Sequence, residues 1–344
     1  VRGTMGTSFR APGLYELYLG DQTGFLPQTQ IDPCIQWGDS NNTFIRANCG
    51  AAGIPDTYTG GGGSSATIYS GGGGKNNLQP ETSKAKTLGL VWSPGFAQGL
   101  NLSLDWWQIR VESTIVADTP TQLLNDCYIQ NDPSRCTAFT RDPALGFVDA
   151  LEFSLINAGF RDTEGFDFDL SYRHSTDFGD FTLNWQNTYT SRDELKTDTN
   201  PATPPQQLVG FATTPGVIGT FRVRSTLGLN WALGAFGAGW NARYFSSMKE
   251  TCLQPALFPE ECPDPGYVAG NPAQTRPVNR VGSNTFHDLQ LRWNAPWNAT
   301  VTLGANNVFD HVGPVMYTQP NANVSYQGQF DIGRFVYVRY QQRF

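Results

Sequence analysis

Phe166, Phe168, Leu170 and Tyr172 alternate along the chain with Asp167, Asp169, Ser171 and Arg173. A period of two puts the first set on one face of a β-strand and the second on the other, one face oily and one wet. The pattern recurs. Phe181, Leu183, Trp185 and Tyr189 oppose Thr182, Asn184, Gln186 and Thr188; Phe221, Val223, Leu227, Leu229 and Trp231 oppose Arg222, Arg224, Thr226 and Asn230. Phe236, Ala238, Trp240, Ala242 and Tyr244 likewise oppose Gly237, Gly239, Asn241 and Arg243. Strand-like runs occupy 1–10, 83–93, 100–111, 162–174, 179–191, 220–232, 234–246, 284–294, 298–309 and 334–344, ten in all. A helix would need an apolar repeat of about 3.6 residues, so the pattern specifies sheets.

Alternation alone fits a soluble sandwich as well as a membrane barrel. The connections separate the two. Short turns, "SPGFAQG", "STDFG", "LG" at 233–234 and "NAPW", alternate with long loops at 11–82, 112–161, 192–219, 247–283 and 310–333. Short connections at one end and long ones at the other is the plan of an outer-membrane barrel, with periplasmic turns and extracellular loops. The run "VDALEFSLI" at 148–156 would break this parity as a spanning strand, so it is placed in a loop as a hairpin arm extending the next strand. Trp92, Trp185, Tyr189, Trp231, Tyr244 and Trp293 near strand ends suit interfacial aromatic girdles.

Composition agrees with this reading. Charged residues are 15% of the chain, against roughly 25% in soluble domains, and 37 Gly with 22 Pro favour turns. No apolar run reaches the length of about 18 residues that a spanning helix needs, whereas barrel strands of about 9 to 11 alternating residues pass unseen by that criterion. A net charge of −7 and pI near 5.0 carry no basic stripe, which excludes a nucleic-acid partner. The chain opens inside a strand with no basic or apolar leader, so it is expected to be a fragment whose natural start lies upstream. It ends on "GRFVYVRYQQRF", with Val336, Val338, Tyr340 and Phe344 on one parity; Phe344 is expected at the periplasmic end of a closing strand, its ring at the lipid interface.

Five stretches resemble those of TonB-dependent outer-membrane transporters. "GTSFRAPGLYELY" (6–18) resembles their "GFRAPSLxEL" segment, and "NNLQPETSKAKTLGLVW" (76–92) their "NPNLKPExSxxxxxG" loop-to-strand segment. "RDTEGFDFDLSYR" (161–173) is similar to "xxTxGxDxxxxY", "GANNVFD" (304–310) to "GxxNLFD", and the last stretch to their closing strand and barrel-assembly signal. The resemblance implies an all-β transmembrane antiparallel barrel of about twenty-two strands closed by a plug. Residues 1–344 would supply its C-terminal ten strands, without the plug. It further implies no enzyme activity and no cofactor, but active uptake of a scarce nutrient such as a ferric siderophore, cobalamin or carbohydrate. Partners would be the TonB complex through the missing N-terminal region, the lipid bilayer, the barrel-assembly machinery, which would read Val336, Val338, Tyr340 and Phe344, and an extracellular small molecule. Gln342 departs from the pattern, which usually has an aromatic two residues before the terminal Phe. A passive porin or autotransporter-type barrel, or a secreted carbohydrate-binding β-domain, are the alternatives.

The six cysteines fall in pairs within single long loops, Cys34 with Cys49, Cys127 with Cys136, and Cys252 with Cys262, which predicts three local disulfides made in an oxidising compartment. A thiolate metal site is disfavoured because no CxxC occurs and the His residues lie far off in sequence. "GGGGSSATIYSGGGGKNN" (60–77) fails as a phosphate loop, since Tyr69 replaces the first glycine and Asn76 the Ser or Thr, and is expected to be a mobile loop tip. Asp167 and Asp169 share the lumen face rather than forming a catalytic pair, and His174, His287 and His311 make no HExxH or triad motif. Arg222 and Arg224 are expected to face the lumen, against plug carboxylates or an anionic substrate. Trp37, Tyr58, Tyr69, Phe258, Tyr267 and Tyr317 could stack on a ligand or pack their own loops.

Overall fold

The computed structural model of the protein describes residues 1–60, 64–72, 78–198, 204–212, 220–251, 278–313 and 333–344. Ten strands form one antiparallel meander: β1 (Arg2–Arg10), β2 (Glu81–Trp92), β3 (Leu100–Glu112), β4 (Phe160–Thr176), β5 (Gly179–Lys196), β6 (Val223–Leu233), β7 (Phe236–Phe245), β8 (Asn284–Ala295), β9 (Ala299–Asn306) and β10 (Phe335–Gln342). These are the ten strands expected from the alternation. The four tight connections lie at one end of the sheet, and each holds or adjoins a left-handed residue: Gly99, Gly179, Gly234 and Asn298. At Gly99, with φ +86°, a Cβ would lie 2.2 Å from the Arg173 carbonyl oxygen, so this turn accepts only glycine.

Pairing in register turns the sequence alternation into two continuous faces. Leu100, Tyr172, Leu183, Leu229, Trp240, Leu289, Ala305 and Val336 are successive cross-strand partners from β3 to β10, forming one apolar row across eight strands. Leu88, Leu90, Trp92, Leu104, Leu289, Leu291, Leu303 and Val338 stand exposed on this face. An exposed apolar surface of this extent suits a wall against lipid and argues against a soluble β-domain. On β5 the band runs from Phe181 to Tyr189, about 26 Å along the strand and about 20 Å across a bilayer at the usual barrel tilt.

Beyond that band the apolar parity turns charged. Lys84, Lys86, Gln108, Arg110, Glu112, Asp162, Glu164 and Arg192 continue the parity of Leu88, Trp106 and Phe166 toward the long-loop end. Arg110 pairs with Glu112 and with Asp162, and Arg192 pairs with Glu164 and Asp162. Charges cannot sit in hydrocarbon at the strand wall, so this collar marks where the lipid band ends.

One strand departs from simple alternation. The β4–β5 ladder shifts register between Thr190 and Arg192, and the chain opposite bends at Arg222, whose carbonyl accepts from Thr190 N at 2.9 Å. The irregularity exchanges the faces of the next residues. Phe221, expected on the lipid face, is buried against Phe245, Met248, Val281 and Phe286. Arg222, expected to face the lumen, extends Nη1 to within 3.5 Å of the hydroxyl of Tyr189, a residue of the apolar face.

The two longest loops fold together into a head. Strands Gln22–Pro27, Ser65–Gly71, Val148–Asn157 and Ile115–Ala117 make a sheet in that order, and Phe139–Arg141 also pairs with Val148–Asn157. The expected mobile glycine-rich tip therefore carries a strand in its middle. The run at 148–156 does extend the following strand, because the Ile115–Asn157 pairing continues the β3–β4 ladder past Glu112 and Phe160. It also forms the middle of the head sheet. Helices α1 (Leu14–Tyr18), α2 (Gln28–Ile31), α3 (Thr43–Ala51) and α4 (Pro120–Tyr128) complete these loops. Asn42 caps α3, accepting from Phe44 N and Ile45 N, and Thr119 caps α4 with Pro120 in its first turn. Ile31, Cys34, Cys49, Ile54, Tyr58, Leu123, Leu124, Cys127, Tyr128, Val148 and Leu151 make one buried core from both loops.

Candidate functional site

The polar face of the wall is the side a transmembrane barrel turns toward its lumen. Asn101, Ser171, Asn184, Gly228, Asn241 and Asp288 form one cross-strand row on it. Arg173, Thr182, Asn230, Gly239, Gln290, Gly304 and Tyr337 form another. Three connected depressions of about 550, 370 and 280 Å³ run along these rows, the first two sharing Asn184 and Gln186, the last two sharing Asn230 and Gln290. Together they make a polar trough.

Glycines open its floor. Tyr337 lays its ring over Gly304, where a Cβ would lie 2.3 Å from the ring, and a Cβ at Gly239 would press on Gln290 at 2.8 Å. Parts of the polar face are internally paired. Arg2 makes two bonds to Asp105 at 2.8 and 2.6 Å, Thr4 meets Thr87, Ser8 meets Ser83, and Thr188 donates to Asp167. Asp288 accepts from Arg243 at 3.1 and 3.2 Å and from Asn307 N at 2.8 Å. By contrast, the side chains of Asn184, Gln186, Asn230, Asn241, Gln290 and Asn306, all lining the 370 Å³ cleft, make no hydrogen bond to another of the described residues. Each carboxamide offers two donors and an acceptor without charge. The central cleft thus offers uncharged donors and acceptors to a polar group, while charges line the depressions on either side, Arg2 and Asp169 in one and Asp180 and Arg292 in the other.

Toward the long loops the polar face becomes aromatic. Arg224, expected in the lumen, does share this face; its guanidinium lies 5.6 Å from the Phe245 ring centroid. Arg243 lies 5.5 Å from the Phe286 centroid, and His311 packs edge-on against Phe286 while bonding Asn284 at 2.6 Å. On the apolar face Trp240 stacks on His287 and donates to its Nδ1 at 3.2 Å.

The head occupies the long-loop side, and two disulfides, Cys34–Cys49 and Cys127–Cys136, sit in its core. The third expected pair, Cys252 and Cys262, lies outside the described residues, as do Phe258, Tyr267 and Tyr317. Tyr58 is buried and Trp37 donates Nε1 to the Ile54 carbonyl at 3.0 Å, so both pack within the head. Tyr69 stands exposed on the strand Ser65–Gly71. Across the two loops Gln28 donates to Val148 O at 2.7 Å and accepts from Val148 N at 3.0 Å. Arg141 holds Asp32 with two bonds of 2.7 Å, and also donates to the Tyr128 hydroxyl and Gly146 O. Burial, with the Asp32 charge, pushes the Tyr58 hydroxyl up to about 12, and burial raises Tyr128 as well. Sequence reading missed this head; its legible signals were Asn42, the Thr119-Pro120 start, and the spacing of Leu123, Leu124, Cys127 and Tyr128.

At the far end Val336, Val338 and Tyr340 face the apolar side of β10, and Phe344 is exposed beyond it. Gln342 donates to Trp297 O at 2.9 Å and bonds the Tyr340 hydroxyl, fastening the last strand to the turn before β9.

Residues 1–308 match the family model described as TonB dependent receptor-like, beta-barrel. Among solved structures, a variant of the ferric enterobactin receptor PfeA from Pseudomonas aeruginosa is 14% identical at a TM-score of 0.55, covering 98% of this chain and 37% of its own. The siderophore receptor PirA from Acinetobacter baumannii is 16% identical at a TM-score of 0.55, covering 98% of this chain and 38% of its own. No curated protein matches the sequence. The chain thus spans under two fifths of the length of these structures, and at such identity they show the fold alone.

Proposed function

Because the chain belongs to the TonB-dependent receptor β-barrel family, we propose that it forms the C-terminal wall and loop cap of an outer-membrane transporter that takes up a scarce extracellular small molecule. The observation that carries this reading is the family match over residues 1–308. The apolar outer face and the unengaged carboxamides of the trough support it. Energy would come from the TonB complex through a plug and coupling segment that residues 1–344 do not contain, and about twelve further strands would complete the wall. Closure is required in lipid, because unpaired edges at β1 and β10 would each leave backbone groups unsatisfied at several kcal/mol apiece. The disulfide-locked head would sit over the extracellular mouth, where an oxidising environment keeps its bonds closed. Val336, Val338, Tyr340 and Phe344 would present the barrel-assembly signal.

The solved relatives are receptors for siderophores, which makes a ferric siderophore the first substrate class to try. Cobalamin and oligosaccharides follow. Growth of cells carrying the full-length protein on each nutrient, with and without TonB, tests the reading. Uptake that needs TonB is expected; undiminished uptake without it would make a passive porin the better account.

A further inference from the structure

We infer that Lys84 and Lys86 form a binding site for the phosphate of a lipid in the outer leaflet. Both residues are exposed and share the apolar parity of Leu88, Leu90 and Trp92 through the unbroken β1–β2–β3 register. Lys86 lies two residues from Leu88, whose cross-strand partner Trp106 belongs to the aromatic border of the lipid band. The two ammonium groups therefore stand just beyond the hydrocarbon, and their flexible stems can reach the phosphate level.

The other cations of the collar are already engaged by carboxylates. Arg110 is held by Glu112, by Asp162 and by the Phe160 ring 3.9 Å away, and Arg192 is held by Glu164 and Asp162. Neither lysine has a carboxylate within 4.0 Å among the described residues. Lys84 is moreover the direct cross-strand partner of Arg110. Arg110 keeps its own two carboxylates, so Lys84 gains no counter-ion across the strand pair, and an anion for the lysines has to come from outside. A lipid phosphate supplies such an anion at this height. Free phosphate could bind the same cations, but nothing would hold it at the bilayer border.

The inference rests on the outer-membrane reading for the identity of the leaflet. The full-length protein, extracted in mild detergent, is given lipid A as the probe, with its dephosphorylated form and phosphatidylcholine in parallel, and retained lipid is counted by native mass spectrometry. Wild type should retain lipid A selectively. Lys84→Gln with Lys86→Gln should weaken retention about twenty-five-fold, from a factor of roughly five for each lysine. Lys84→Arg with Lys86→Arg should restore it, and Lys249→Gln with Arg334→Gln should leave it unchanged at the same net charge. Heat-modifiable gel mobility checks that each variant is folded. Equal retention by the glutamine pair and wild type, equal retention of dephosphorylated lipid, or displacement by millimolar inorganic phosphate would each overturn the inference. Loss of lipid selectivity with TonB-dependent uptake intact would remove this site alone. Retained lipid with TonB-independent uptake would remove the transporter reading alone.

Discussion

Arg141→Met tests whether the head is a folded unit held by one buried ion pair. The Asp32 side chain is fully buried and that of Arg141 nearly so. In the variant Asp32 would keep only the bond from Cys34 N at 3.0 Å, while Tyr128 would lose the Arg141 donor at 2.8 Å. Removing one partner of a buried pair costs about 3 to 5 kcal/mol, because the other charge remains buried and uncompensated. The equilibrium for opening the head should then rise by roughly two to three and a half orders of magnitude. Hydrogen exchange on the full-length protein in detergent reads this directly. Faster exchange is expected in α3, α4 and the strand Val148–Asn157, with β4 to β9 unchanged. Asp32→Leu combined with Arg141→Met should exchange more slowly than Arg141→Met alone. Wild-type exchange in Arg141→Met, or spread of the effect into the wall, would refute the reasoning.

Three further outcomes follow. Burial raises the hydroxyl pKa of Tyr58, to about 12, and that of Tyr128, and the stability this gives the folded head is present below pH about 10 and lost as pH rises through the raised values; alkaline hydrogen exchange should show the head opening above pH about 10, and Tyr58→Phe, which removes a hydroxyl with no hydrogen-bond partner among the described residues, should blunt it. Leu183→Arg or Leu229→Arg should impair assembly by roughly 2 to 4 kcal/mol, whereas Asn184→Arg or Asn230→Arg on the opposite face should be better tolerated; equal losses of heat-modifiable mobility on both faces would reverse the face assignment. Non-reducing peptide mapping should recover Cys34 with Cys49 and Cys127 with Cys136, and reduction should loosen the head by up to about 3 kcal/mol for the 15-residue loop; free thiols in exported protein would count against that link.

The sequence by itself determined the wall. Its ten strands, their two faces and the alternation of tight turns with long loops were all legible, because a side chain on a strand has only two directions and lipid on one face penalises every error. Gly99, Gly234 and Asn298 marked turns for the same local reason, a backbone conformation few residues accept. The tertiary structure decided what depended on partners distant in the chain. Phe221 and Arg222 exchange faces because the irregularity that redirects them lies across the ladder at Thr190, about thirty residues away. Tyr58 and Trp37 became packing residues because a second loop, 113 to 159, supplies Leu123, Leu124, Tyr128 and Val148 to cover the first. Arg141 and Asp32 are 109 residues apart and look like ordinary surface charges until the loops meet. The open amides of the trough were equally invisible, since alternation gives the face of Asn184 or Gln290 but only the register shows that glycines flank them and that no partner among the described residues reaches them. Local periodicity fixes direction; which groups are then satisfied is a property of the assembled surface.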